Sequence, residues 1–114
     1  MELLIENTAI IGADEFYRST RYDLPLVVML VNSEDRRAFD ILEDNIRKTD
    51  IIQQLSSESI VVFLSHTNYK ESELFIEKIK GSFEFTYTVS EFKSPEDVFL
   101  RNLFINNEEK SVAI

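Results

Sequence analysis

Two uninterrupted apolar runs stand out along the chain, Leu26 to Val31 (LVVMLV) and Ile60 to Leu64 (IVVFL). Both are short and rich in β-branched residues, the pattern of strands buried on both faces. Phe83 to Ser90 (FEFTYTVS) instead alternates, with Phe83, Phe85, Tyr87 and Val89 on one face and Glu84, Thr86, Thr88 and Ser90 on the other. That alternation predicts a half-exposed strand. Asp50 to Leu55 (DIIQQL) is shorter and more polar, and the turn Ser56-Ser57-Glu58-Ser59 joins it to the Ile60 strand as a hairpin.

Helical spacing fills the gaps. Asn32 or Ser33 is positioned to cap a helix with Glu34 and Asp35 in its first turn, Ala38, Phe39, Leu42 and Ile46 on its apolar side, and Arg47 and Lys48 at its negative end. Asn68 followed by Glu71 is a capping-box start for a second helix with Leu74, Phe75 and Ile79 on its apolar face, and Gly81 suits a left-handed stop. Ser94 and Pro95 open a third helix that buries Val98, Phe99 and Leu103. Asp14 to Tyr22 reads as a further helix with Phe16, Tyr17 and Tyr22 as its contact side, packed on its own sheet or paired with another chain. The first ten or so residues and the stretch from Asn106 to Ile114 are expected to be soft ends.

The order is β-α-β-β-α-β-α behind an N-terminal helix. Its two continuous apolar strands are first and third, the central positions of a ferredoxin-like sheet. The fold class is therefore α+β, a four-stranded antiparallel sheet with helices. The 114 residues make one domain, with its core at about 24–104, its N-terminal helical segment at about 13–22 and its tail at about 106–114.

Composition narrows the chemistry. The 12 basic and 21 acidic side chains give a net charge of -9, which disfavours nucleic acid and anionic lipid as partners. The absence of cysteine removes disulfides, thiol nucleophiles and thiolate metal sites. His66 is the one histidine and reads as a loop or cap residue. Neither an export signal nor a membrane-spanning run is visible, so the expected location is cytoplasmic and no membrane insertion is expected.

From about Phe16 to Phe104 the order of elements and several strings resemble the GGDEF domain of diguanylate cyclases. The strings are Arg21-Tyr22 and Pro25-Leu26 before an apolar strand, Arg47-x-x-Asp50-Ile51 leading into a hairpin, and Thr88-Val89-Ser90 in the last strand. In that family the hairpin turn carries Gly-Gly-Asp-Glu-Phe, whose glycines admit a nucleotide and whose acids serve metal binding and catalysis. Ser56, Ser57, Glu58, Ser59 and Ile60 occupy the matching positions, so both glycines are lost and Glu58 alone keeps a carboxylate. The metal-binding Asp that the resemblance places at the end of the first strand falls among Leu30, Val31, Asn32 and Ser33. Glu34 and Asp35 nearby are accounted for by helix polarity. Gly12-Ala13-Asp14-Glu15-Phe16 differs from the signature by one residue, but it precedes the first core strand and lacks a following apolar strand, so it reads as coincidence.

The resemblance implies a catalytically degenerate domain with no catalytic residues, metal site or cofactor, acting in bacterial signalling through another protein or through self-association. It also implies an alternative. Many diguanylate cyclases carry an inhibitory Arg-x-x-Asp site five residues before the signature, and Arg47-Lys48-Thr49-Asp50 keeps that distance before Ser56. Arg47 and Asp50 are thus candidate ligands for cyclic di-GMP, the arginine bonding a guanine edge or phosphate and the aspartate accepting from guanine N-H groups. Gln54 stands where the family often has a further arginine. Without a ligand, the same pair reads as an arginine near a helix C-terminus and an aspartate accepting turn hydrogen bonds.

Overall fold

The computed structural model describes the backbone of residues 1–112 and the side chains of 1–109. Its elements run α1 (Glu2–Ile11), α2 (Ala13–Tyr22), β1 (Leu26–Asn32), α3 (Ala38–Asn45), β2 (Ile51–Gln54), β3 (Ser59–Ser65), α4 (Tyr69–Ile79), β4 (Thr86–Glu91) and α5 (Glu96–Val112). One four-stranded sheet has the order β2-β3-β1-β4, and every neighbouring pair is antiparallel. This is the ferredoxin-like arrangement, with the two continuous apolar runs in its centre.

Because side chains alternate across a strand, each central strand feeds two cores. Val28, Leu30, Val61 and Phe63 face one layer, where Ile5 of α1, Phe16 of α2 and Phe99, Leu100, Leu103 and Phe104 of α5 are buried. Val27, Met29, Val31, Ile60, Val62 and Leu64 face the other, covered by Ala38 and Leu42 of α3 and Phe75, Ile76 and Ile79 of α4. The N-terminal helices therefore pack in cis. Phe16 alone touches Phe63, Phe92 and Phe99, with ring centroids 5.5, 4.7 and 6.3 Å away. Burying such a ring contributes about 1.5–3 kcal/mol.

Several local expectations are corrected. The first residues form α1, whose Ile5 and Thr8 are buried, so that end is structured. The expected soft stretch from Asn106 continues α5 as far as Val112, and Ala113 and Ile114 lie outside the described residues. Tyr17 and Tyr22 point to solvent, as do Leu74 and Val98. Helix α3 starts at Ala38 because Asn32 still belongs to β1, paired with Ser59 and Thr86. Asp35 closes a turn by accepting the Arg37 N–H at 2.8 Å. That helix ends at Asn45, with Ile46 already extended, so Arg47 and Lys48 sit in the following loop. Strand β4 begins at Thr86, although Phe83, Phe85, Tyr87 and Val89 do share the α3/α4 face.

Other local signals match the structure. Asn68 and Glu71 form the reciprocal capping box, with bonds of 2.8 and 3.0 Å. Gly81, at φ 84°, follows α4 in the left-handed conformation. Among the described residues, no helix is long and apolar enough to cross a membrane.

Candidate functional site

The hairpin between β2 and β3 turns where the end of β1 comes alongside. Leu55 and Ser56 donate their N–H groups to the Ser59 carbonyl at 2.8 and 3.2 Å, and the Ser33 N–H donates to the Glu58 carbonyl at 2.9 Å. An open cleft of about 930 Å³ lies here, lined by Asn32, Ser33, Glu34, Asp35, Arg37, Glu58 and the approach to β4 from Phe83 to Thr86. Asp35 is bidentate with Arg37, at 3.1 Å from Nε and 2.8 Å from Nη2. The Arg37 guanidinium, followed by its backbone N–H, holds the Asp35 carboxyl below the usual range. Among the described residues, no group of three or more His, Cys, Asp or Glu side chains is placed to hold a metal ion.

Asn32, at the inner edge of the cleft, is engaged in a polar network. Its amide donates to Asn107 Oδ1 at 2.7 Å, Asn107 donates back to Asn32 Oδ1 at 3.3 Å, and Thr88 Oγ1 donates to Asn107 Oδ1 at 3.2 Å. Ser59 Oγ donates to Asn32 Oδ1 at 3.3 Å. The last turns of α5 are thereby tied to the end of β1. Sequence reasoning missed Asn107, because an asparagine in a polar stretch has no local signature.

Arg47 and Asp50 do come together, in the loop between α3 and β2. Asp50 Oδ2 accepts the Arg47 backbone N–H at 2.9 Å and its Nε at 3.2 Å, while Oδ1 accepts Arg47 Nη2 at 3.0 Å. Oδ1 also accepts the Ser65 N–H at 3.0 Å and the Ser65 hydroxyl at 3.3 Å. The Asp50 side chain is 1% exposed and that of Arg47 56%. Arg47 reaches on to the Ser65 carbonyl and to Thr67 Oγ1. The pair thus ties the loop to the end of β3, with both oxygens of Asp50 already serving as acceptors. Ser65 and Thr67 are its partners.

The near-signature Gly12-Ala13-Asp14-Glu15-Phe16 lies at the junction of α1 and α2. Gly12 is the residue that lets this junction close on the sheet, since a methyl group there would overlap the Phe63 ring. Glu15 pairs with Arg18 on the same helix, and Phe16 is core. His66 is exposed in the turn after β3, and Asn68, not His66, caps α4.

No sequence profile of a known protein family matches the chain, and no curated protein sequence does. Its fold does have solved counterparts. The crystal structure of a DGC protein from Thermotoga maritima superposes with a TM-score of 0.65 at 15% identity, covering 91% of each chain. The chain has the α+β fold of a diguanylate cyclase-like, GGDEF-type domain, and at this identity the likeness is one of fold.

Proposed function

We propose that this chain is a non-catalytic regulatory module, a GGDEF-like scaffold that serves bacterial signalling by binding another protein. The observation that carries the reading is the corner formed by the end of β1 and the β2-β3 hairpin. Two-metal phosphoryl chemistry needs carboxylates that converge on divalent ions. In this corner Asn32 is bonded to Asn107, Asp35 is bound up with Arg37, and Glu58 stands on a serine-rich turn. Ser56 and Ser57 also carry side chains on the turn where the resembling family has glycine.

A second reading, cyclic di-GMP binding through Arg47 and Asp50, draws on their spacing and on the exposure of the Arg47 guanidinium. A ligand there has to replace hydrogen bonds that Asp50 already makes within the chain. Calorimetric titration separates the two readings. The interaction role predicts no saturable heat with magnesium-GTP or with cyclic di-GMP up to high micromolar concentration. Micromolar binding of cyclic di-GMP that disappears in Arg47→Ala would establish the second reading in its place.

A further inference from the structure

The outward face of α1 and α2 takes no part in the cleft or in the Arg47 loop. Exposed positions recur along it at Leu3, Glu6, Asn7, Ile10, Asp14 and Tyr17, the three-to-four-residue spacing of one helix face. The two helices meet at Gly12, whose φ of -94° and ψ of 6° interrupt the ladder while its N–H still donates to the Thr8 carbonyl at 3.0 Å and its carbonyl accepts from Phe16 at 2.9 Å. Inward positions Ile5, Thr8 and Phe16 are buried, whereas Leu3, Ile10 and Tyr17 are 68%, 75% and 61% exposed. Single exposed apolar residues are ordinary on a protein surface. Leu3 and Ile10 lie two turns apart on α1 and Tyr17 follows on α2, a ridge that no described residue buries.

Charge says what fits it. No Lys or Arg precedes Arg18 in the chain, so Ile10 is flanked along the ridge by Glu6 and Asp14. Arg18 is engaged by Glu15. We propose that this ridge docks a helix of another protein, one that presents apolar side chains at the same spacing with Lys or Arg on either side of them. A second copy of this chain is a poor occupant. Pairing two ridges about Ile10 sets Glu6 opposite Glu6 in a parallel dimer and Glu6 opposite Asp14 in an antiparallel one, and like charges at such positions destabilise pairing. An anionic membrane surface is repelled for the same reason.

The inference names the partner chemistry of the interaction role proposed above and rests on that reading, but its test uses no nucleotide. The intact chain is titrated into a fluorescently labelled synthetic helical peptide with leucines on one face flanked by lysines. Two control peptides carry glutamate in place of lysine, or glutamine in place of leucine. The lysine-leucine peptide binds saturably and the controls do not. Leu3→Gln with Ile10→Gln weakens binding about tenfold or more, the scale expected of central interface residues, and Glu6→Lys with Asp14→Lys does the same. Glu73→Lys with Glu77→Lys, an equal charge reversal on α4, keeps binding within about twofold, because rim charges remote from a contact matter little. All the substituted side chains are exposed, and circular dichroism checks that each variant is folded.

The proposal is overturned if the α4 reversal weakens binding as much as the ridge reversal, which is general attraction to a polyanion, or if the Leu3 and Ile10 variant binds unchanged. It is also overturned if sedimentation shows a dimer of the chain that this variant dissociates. Turnover of GTP would remove the non-catalytic reading and leave the peptide selectivity standing. Loss of that selectivity would remove the ridge and leave the non-catalytic reading in place.

Discussion

Asp50 places a carboxylate at 1% exposure in a loop, where it is held by backbone and side-chain donors of Arg47 and of Ser65 at the end of β3. Removing a partner from such a buried network strands the other polar groups without acceptors. Asp50→Ala should therefore lower stability by about 2–4 kcal/mol in urea unfolding. Arg47→Ala should cost less, since the Ser65 and Arg47 backbone donors remain. If the pair served only a ligand, both variants would unfold with the midpoint of the unaltered protein. Gly12→Ala makes a second prediction, a loss of about 1–3 kcal/mol from forcing a methyl group against the Phe63 ring, read from the same experiment. The sequence displayed the Arg47 and Asp50 spacing and the role of Asp50 as an acceptor near a helix end. Ser65 as a partner of Asp50 and Thr67 as a partner of Arg47 were not legible, because β3 and the turn after it come into place only once the sheet has formed.

At the scale of elements, legibility follows the strength of the local signal. Strands β1 and β3 read clearly because both faces are buried and their runs Leu26–Val31 and Ile60–Leu64 are apolar throughout, and the alternation around β4 assigned its faces correctly even where its first residue was misplaced. Helix α4 was legible through its capping box. Helix α1 was not, since Leu3, Leu4, Ile5, Ile10 and Ile11 spread apolar residues around the helix and Met1 makes no side-chain cap bond. Packing against α5 decides its conformation, a case of tertiary contact overriding weak local preference. The Glu2–Arg101 pair, at 2.7 Å, joins these helices, and its hydrogen bond holds the Glu2 carboxyl below the usual range. A carboxyl depressed on folding contributes stability that is present above its ordinary pKa and is lost as pH falls through the lowered value. Amide exchange within α1 should accelerate, relative to α4, as pH drops through the acidic side of the carboxylate range, after correction for intrinsic rates. In Glu2→Gln that difference should be gone, and because the pair is exposed it should shrink with added salt.

For the whole molecule, the sheet is covered on both faces by helices of the same chain, and the net charge of -9 is spread over helices and turns. The fold class and strand order were legible because each strand announced how many of its faces are buried. The side-chain pairings at the cleft corner were not, since Asn107 and Arg37 engage Asn32 and Asp35 through contacts with no local pattern. The non-catalytic role proposed for this chain rests on the content of that corner. The most direct measurement is incubation of the purified protein with GTP and magnesium or manganese, with products resolved by chromatography. The account predicts no cyclic di-GMP and no pyrophosphate above a protein-free control, with Glu58→Gln indistinguishable from the unaltered chain. Formation of cyclic di-GMP that Glu58→Gln abolishes would contradict it.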